Sequence, residues 1–313
     1  MGKKERLSIS EERVIEVIMY ADEHDIPKAC KHFGLADDTV RRYMREARCK
    51  DIIAVPPPKK KILIFDIETA PMLGYFWNIW KQNISTVQIL EEWNILSWAA
   101  KWLDEPEIHT DASWLHGKNP RQDKGCCKTL SKILGEADIV VAHNGDKFDI
   151  KKVNTRLLFH DLQEPEPFKS IDTLKIAKRR FAITSNRLDY IGEFLGLGRK
   201  VKHEGQEMWN KVLAGDKKAQ QKMIEYNVGD IALLEQVYLK LRSWNKVHPN
   251  VNIQFDKRRC PVCGSKNLRD IDCVYTPVSK FSAMVCKDCG KYSRTGQHKK
   301  SKEDMARTQR NII

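Results

Sequence analysis

Three short motifs place four acidic residues inside apolar segments, and this feature constrains the fold of the chain more than any other. Asp66 and Glu68 lie in ILIFDIET, Asp149 ends VVAHNGDKFD, and Asp230 ends YNVGD. A carboxylate in an apolar segment is costly to bury unless another group compensates its charge. Alternate residues of a strand share a face, as do helical residues four apart such as Tyr226 and Asp230. The motifs therefore predict that a strand and two helices bring their carboxylates to one place.

Such a carboxylate cluster predicts a metal centre. Clustered carboxylates repel one another and raise each other's pKa values. Two divalent cations about 4 Å apart would remove the repulsion and create a site for phosphodiester hydrolysis. Hard oxygen ligands favour Mg²⁺ or Mn²⁺ over thiophilic metals. We therefore predict two Mg²⁺ or Mn²⁺ ions as catalytic cofactors.

In this order, the motifs resemble those of the DEDD 3′–5′ exonucleases of the ribonuclease-H-like superfamily. Tyr226 points to the DEDDy branch, because Glu225 stands where the DEDDh branch has histidine. The stretches SIDTLKIAKRRF and RLDYIGEFLGLG further resemble the proofreading domains of family B DNA polymerases. The resemblance covers residues 61–243 and implies an α/β fold, with a ribonuclease-H-like mixed sheet flanked by helices.

The resemblance also implies a role for each matching residue of the carboxylate motifs. Asp66 would bridge both metal ions. Glu68 and Asp230 would hold the ion that carries the attacking water, and Asp149 would serve the other ion. Tyr226 would orient the attacking water.

Two further residues match the second motif of the family, N-x-x-x-F/Y-D. These are Asn144 and Phe148. The resemblance implies that they contact the end of the substrate strand.

Residues 1–53 are predicted to form a small helical module. The order of helix, helix, glycine turn and helix resembles a helix-turn-helix domain. In such a domain the last helix enters the major groove, and here it would present Arg41, Arg42 and Arg45 to DNA. An arginine-rich solvated face that contacts proteins is the alternative. Residues 54–61, AVPPPKKK, are predicted to be an extended linker.

Residues 62–245 are predicted to form the α/β domain. Apolar patterns predict strands at residues 62–67, 93–102, 107–110 and 139–142, and helices at residues 150–159, 188–195 and 222–242. Six of the eight tryptophans lie between Trp77 and Trp114. Large aromatic side chains in strands are mostly buried, so we expect these tryptophans to pack in the core. Stacking on bases is the alternative.

Residues 256–292 contain two Cys-x-x-Cys-Gly segments. They contribute Cys260, Cys263, Cys286 and Cys289. Four thiolates with this spacing predict one closed, structural Zn²⁺ site, and the module resembles a zinc ribbon. Nucleic-acid binding and protein docking both remain open for it.

The charge of the chain is concentrated near its C-terminus. The net charge is +13, of which +8 lies in residues 256–313. This excess favours contact with a polyanion, and a solvated basic tail is the alternative. Residues 293–313 are predicted to be such a flexible tail. Neither a membrane-spanning segment nor a signal peptide is indicated, so we expect a cytoplasmic protein without a membrane partner.

Together these patterns predict a metal-dependent 3′–5′ exonuclease that hydrolyses DNA by a two-metal mechanism. The flanking modules are predicted to bind nucleic acid, DNA above all, and replication or repair proteins are candidate partners. An exoribonuclease with the same chemistry and a catalytically silent DNA-binding adaptor are the alternatives.

Overall fold

The computed structural model describes residues 11–49, 59–80, 83–199, 204–253, 258–277 and 279–298. Most of the predicted linker and residues 299–313 of the predicted tail lie outside these ranges. Backbone contacts divide the chain into two compact units, one up to Lys59 and one that begins at Lys60 and includes the cysteine segments. Among the described helices, none combines the length and the apolar character needed to cross a membrane.

The first unit contains three helices, α1 (Glu11–His24), α2 (Ile26–Phe33) and α3 (Asp37–Cys49). The side chain of Asp25 caps α2 by accepting a hydrogen bond of 2.8 Å from the Lys28 N–H. Pro27 lies in the first turn, where the missing N–H is not needed. Gly34 ends the helix with φ of 66°, a left-handed conformation that favours glycine.

The three helices enclose a small apolar core. Its buried members are Val17, Ile18, Ala21, Ala29, Val40, Tyr43 and Met44. Arg41, Arg42 and Arg45 are exposed on α3. The helices follow the predicted order, and DNA binding by this module stays a prediction.

The second unit combines an α/β domain with a small cysteine-containing sheet. Its elements in chain order are β1 (Ile62–Thr69), β2 (Leu73–Gly74), β3 (Ile89–Glu91), β4 (Ile95–Trp102), β5 (Ile108–Ala112), α4 (Lys124–Gly135), β6 (Ile139–Ala142), α5 (Asp149–Phe159), β7 (Lys169–Asp172), α6 (Thr173–Arg180), α7 (Leu188–Phe194), α8 (Gln206–Leu213), α9 (Lys217–Leu241), β8 (Leu268–Tyr275), β9 (Lys280–Cys286) and β10 (Tyr292–His298).

The central sheet of the described residues has five strands in the order β5-β4-β1-β6-β7. The pairs β5–β4 and β4–β1 are antiparallel, whereas β1–β6 and β6–β7 are parallel. Helices α4 and α5 pack on one face, and α6, α7 and α9 pack on the other. This confirms the predicted α/β fold with a mixed sheet between helices.

The alternation of side chains along β1 sets the position of the candidate site. Leu63 and Phe65 are buried against α4 and α5. Ile62 and Ile64 are buried against the α9 layer. Asp66 and Glu68 continue this second row, so an apolar face becomes acidic at the C-terminal end of the strand.

The cysteine segments lie in an antiparallel sheet with the order β10-β9-β8. This sheet is attached to the end of the α/β domain. The Lys291 ammonium donates to the carbonyls of Ser243 and Asn245 at 3.1 and 2.7 Å, and the Val251 N–H donates to Pro261 O at 2.9 Å. Residues 293–298, predicted to be part of a flexible tail, pair with β9 as strand β10.

The expectation that the tryptophans pack in the core is correct only in part. Trp98, Trp102 and Trp114 are buried. Trp77 and Trp80 are 98% and 74% exposed, so for these two the expectation is wrong. They lie between the very short strands β2 and β3, outside the apolar clusters of the described residues.

Candidate active site

Three of the four predicted carboxylates converge between β1 and α9. Asp66 and Glu68 lie opposite Ala99 and Ser97 of β4, on the face over which α9 packs. Asp230 extends from α9 and is 1% exposed. One carboxylate oxygen each from Asp66, Glu68 and Asp230 lies within 4.8 Å of the others.

Asp149 occupies the first turn of α5 and is buried. Its Oδ1 accepts a hydrogen bond of 3.3 Å from the Ile67 N–H, and Ile67 stands between the two acidic residues of β1. The positive end of the helix dipole favours a carboxylate at this position. Asp149 therefore lies against the same strand but is not a member of the three-residue cluster.

The turn between β6 and α5 fixes the second motif. Asn144 has φ of 69°, a left-handed conformation that asparagine tolerates better than most residues. Its carbonyl accepts from the Phe148 N–H at 3.0 Å, and its N–H donates to Asp172 Oδ1 at 2.9 Å. A Cβ on Gly145 would lie 2.4 Å from Ala142 Cβ, so only glycine fits this turn without a shift.

Tyr226 is held beside the end of β1. Its ring is 7% exposed and packs edge-on against Trp209, with 6.5 Å between ring centroids. The Trp209 indole N–H donates to Thr69 O at 3.1 Å. This contact joins α8 to the residue that follows Glu68.

Asn227 was not predicted from the motifs, yet it contacts the cluster directly. Its Nδ2 donates to Asp66 Oδ2 at 2.9 Å, and its Oδ1 accepts from the Ser97 hydroxyl at 3.3 Å. Asn227 is 1% exposed. It therefore fixes the orientation of the Asp66 carboxylate. The available signal was its position three residues before Asp230, which places both on one side of α9.

Two clefts flank the cluster. The larger, of about 1010 Å³, is lined by Tyr226 and Asn144 and carries the cations Lys178 and Arg187. Asp189 and Glu193 also line it.

The smaller cleft, of about 400 Å³, includes Thr69, Trp93, Lys152 and Trp209. The Lys152 ammonium lies 3.6 Å from the centroid of the Trp93 ring and 5.1 Å from that of Phe148. Burial lowers the pKa of Lys152 from its usual value. Phe148 is itself 38% exposed.

The carboxylate cluster fits a hard divalent cation. Bonds of about 2.1 Å to Mg²⁺ in octahedral geometry place ligand oxygens about 3.0–4.2 Å apart. Oxygens that all lie within 4.8 Å of one another can reach such positions with small side-chain shifts. The donor set is composed of carboxylates, which select Mg²⁺ or Mn²⁺ over zinc.

The cysteine cluster fits a different ion. Cys260 Sγ lies 3.5 Å from Cys289 Sγ, and Cys263 Sγ lies 3.6 Å from Cys286 Sγ. These distances are too long for disulfides, whose sulfurs are about 2.05 Å apart. Four sulfurs around a tetrahedral zinc, with bonds of about 2.3 Å, would be separated by about 3.8 Å.

Each cysteine segment makes the same turn. Gly264 and Gly290 follow the second cysteine with φ of 77° and 75°. Their N–H groups donate to Cys260 O and Cys286 O at 3.0 Å. The repeated turn explains why each segment ends in glycine.

A third ligand-like group, Asp123, Cys127 and His160, has a structural explanation. Arg156 donates two hydrogen bonds of 2.8 and 2.6 Å to the buried Asp123 carboxylate, and His160 contacts it at 2.7 Å. Burial raises the pKa of Asp123, but the hydrogen bonds from Arg156, His160 and the Ile95 N–H outweigh it and lower that pKa. The charge is thus neutralised within the protein.

The chain was compared with curated proteins, solved structures and protein families. No curated protein matches the chain. Among solved structures, a family B DNA polymerase from the hyperthermophilic archaeon Pyrobaculum calidifontis matches with a TM-score of 0.44 and 16% identity, over 60% of this chain and 26% of the polymerase. The sequence pattern of the RNase H superfamily matches residues 63–242, which is more than half of the chain. The chain therefore belongs to the RNase H superfamily.

Proposed function

We propose that this chain is a metal-dependent 3′–5′ exonuclease that hydrolyses the phosphodiester bonds of DNA. One observation carries the proposal: the carboxylates of Asp66, Glu68 and Asp230 converge within 4.8 Å on the sheet. Membership in the RNase H superfamily supports nuclease chemistry. The direction of hydrolysis and the preference for DNA are the finer parts of the proposal.

In this proposal, Asp66, Glu68 and Asp230 hold Mg²⁺ or Mn²⁺, and Asp149 serves a second ion from the start of α5. Two such ions supply a hydroxide nucleophile and stabilise the leaving 3′ oxygen. Asn227 keeps the Asp66 carboxylate in the orientation that the ligand set requires.

The residues around the cluster would position the substrate end. Tyr226 lines the larger cleft next to the cluster and would orient the attacking water. Lys178 and Arg187 in the same cleft suit phosphate groups. Asn144 and Phe148, fixed by the turn before α5, would contact the terminal nucleotide.

The flanking modules would hold the nucleic acid. The exposed face of α3, with Arg41, Arg42 and Arg45, suits contacts with DNA phosphates and bases. The four cysteines would hold one structural Zn²⁺ and thereby stabilise the basic C-terminal sheet. Contacts with phosphates should make the binding of nucleic acid strongly dependent on salt concentration. Replication or repair proteins are proposed as protein partners.

The proposal is tested by degradation of end-labelled strands in Mg²⁺. A 5′ label should give a ladder of progressively shorter strands, whereas a 3′ label should leave at once as a mononucleotide. Asp66→Ala should lower the rate by about 10³-fold or more, because loss of metal-dependent catalysis costs several kcal/mol. Glu164→Ala, which removes an exposed carboxylate, is the matched control and should retain the wild-type rate.

Three outcomes would contradict the proposal. Equal rates for wild type and Asp66→Ala would exclude the carboxylate site. Faster degradation of RNA than of DNA would indicate an exoribonuclease. Binding of DNA in chelator, without hydrolysis in Mg²⁺ or Mn²⁺, would indicate a silent adaptor.

A further inference from the structure

The segment between β2 and β3 presents large apolar side chains to solvent. We call residues 72–80 and 83–90 the apolar hairpin. Its exposed side chains include Tyr75, Phe76, Trp77, Ile79, Trp80 and Val87. A soluble domain rarely exposes so many neighbouring apolar groups unless they bind something.

Hydrogen bonds join the two ends of the apolar hairpin. The Tyr75 N–H donates to Gln88 O at 2.9 Å, and the Gln88 amide donates back to Tyr75 O at 2.9 Å. At its base, Arg121 Nη1 donates to the carbonyls of Pro71 and Glu92 at 3.2 Å. The base of the hairpin is therefore held in place, which lowers the entropic cost of binding next to it.

The apolar hairpin is continuous with the carboxylate site. It follows β1 directly, and Thr69 and Met72 both line the smaller cleft beside the cluster. Trp209 joins Thr69 to Tyr226 through its hydrogen bond and its ring contact. A strand that reaches Glu68 and Tyr226 thus has its nearest nucleotides next to the base of the hairpin.

The charge of the segment suits a polyanion. Residues 70–90 contain no aspartate or glutamate and one lysine, and Glu91, the next residue, forms an ion pair with Arg121. At the foot of the hairpin, the Lys152 ammonium lies over the ring of Trp93. An acidic rim would repel phosphates, whereas this composition offers aromatic faces without that penalty.

We propose that the apolar hairpin is a stacking platform for unpaired bases of a single strand whose 3′ end lies at the carboxylates. This inference rests on the proposed function. Trp77 and Trp80 are its principal residues, because they combine the largest rings with high exposure. Every base has a stacking face, so the platform binds without sequence preference, and each stacked base contributes about 5- to 150-fold in affinity.

The test compares strand binding by wild type and by the double variant Trp77→Ala/Trp80→Ala. Affinity is measured on the zinc-loaded protein without added Mg²⁺ or Mn²⁺ by fluorescence anisotropy, with a single DNA strand and with the same strand lacking its bases near the 3′ end. The double variant should bind the intact strand at least about 25-fold more weakly, and the variant and wild type should bind the abasic strand alike. Trp244→Ala is the control, since Trp244 is exposed and follows the C-terminal end of α9, eleven residues of helix beyond Asp230.

Several results would overturn the platform. Equal affinity of wild type and double variant for the intact strand would do so. An equal loss on intact and abasic strands would show that bases are not the contact. Wild-type self-association that the double variant loses, with strand binding intact, would assign the surface to contacts between copies.

A separate reaction keeps this test distinct from that of the proposed function. A small nitrophenyl phosphodiester is too short to reach the apolar hairpin. Failure of wild type to hydrolyse it in Mn²⁺ would contradict the carboxylate chemistry. Hydrolysis of the ester, together with unchanged strand affinity in the double variant, would overturn the platform alone.

Discussion

The cysteine cluster and the carboxylate cluster are both ligand sets, but the chain assembles them in different ways. The four cysteines come from two similar turns at the ends of one small sheet. Asp66 and Asp230 come from the first strand and the last helix of the α/β domain and meet because α9 packs over β1. Local spacing is enough for the first set, whereas the second depends on the whole fold. Loss of a cysteine ligand should therefore affect only the small sheet, whereas loss of Asp66 or Asp230 should affect the site that β1 and α9 form together.

Removal of one cysteine tests whether the four-cysteine cluster is independent of the carboxylate cluster. Structural zinc contributes about 10–16 kcal/mol to folding in small zinc modules. Cys260→Ser should therefore lose zinc and unfold β8–β10, while β1 and α9 stay protected. Metal analysis and hydrogen exchange resolved by segment would measure both effects. Cys273→Ser is the matched control, because Cys273 lies in β8 outside the cluster. Loss of protection in β1 would show that the two sets are not independent.

The Asp123 group tests whether ligand-like composition alone makes a metal site. Asp123→Asn leaves the buried Arg156 without its charged partner. We expect the free energy of unfolding to fall by about 3–5 kcal/mol, with no change in metal content. Urea denaturation with and without chelator would measure this, and Asp272→Asn at an exposed position is the control. Chelator that destabilises wild type but not Asp123→Asn would reveal a metal there.

The attachment of the cysteine sheet to α9 should be sensitive to acid. Burial lowers the pKa of His248 to about 4, and the nearby cations Lys291 and Arg242 act in the same direction. Below about pH 6.5 the unfolded chain gains a proton that the folded chain does not take up, so stability falls between about pH 6.5 and 4. The loss should reach about 3 kcal/mol. Urea denaturation across this range should show a flatter pH dependence for His248→Gln, and an unchanged slope would contradict the assignment.

Asn227 tests how far the carboxylate cluster depends on its surroundings. Asn227→Ala removes the donor to Asp66 without removing a carboxylate. We expect activity at limiting Mg²⁺ to fall by about 10- to 100-fold and to recover partly at high Mg²⁺. The concentration of Mg²⁺ that gives half-maximal activity is the measurement. Gln236→Ala, on the exposed side of α9, should leave it unchanged.

Much of this fold could be predicted because the motifs carry their own periodicity. The residues of β1 alternate between two apolar layers, so the shared face of Asp66 and Glu68 followed from the sequence. The start of α9 was predicted too late. Its first turns are polar, and the helix begins at Lys217 because Asp216 caps it through the N–H groups of Lys218 and Ala219.

Features that depend on packing between distant segments could not be predicted. The contact from Asn227 to Asp66 requires the register of α9 over β1, which no local pattern encodes. The exposure of Trp77 and Trp80 could not be predicted, because an exposed segment and a buried strand can contain the same aromatic residues. The cysteine cluster was predictable for the opposite reason, since its spacing alone specifies the turns.

Binding of Mn²⁺ to the zinc-loaded protein tests the shared carboxylate centre most directly. Titration calorimetry would compare wild type, Asp66→Asn, Asp230→Asn and the double variant, with Asp272→Asn as the control. If β1 and α9 form one centre, either single variant should strongly weaken the affinity of the same site for Mn²⁺. The double variant should then bind Mn²⁺ only slightly more weakly than either single variant. Independent losses that add in the double variant, or wild-type binding in both single variants, would contradict a common centre.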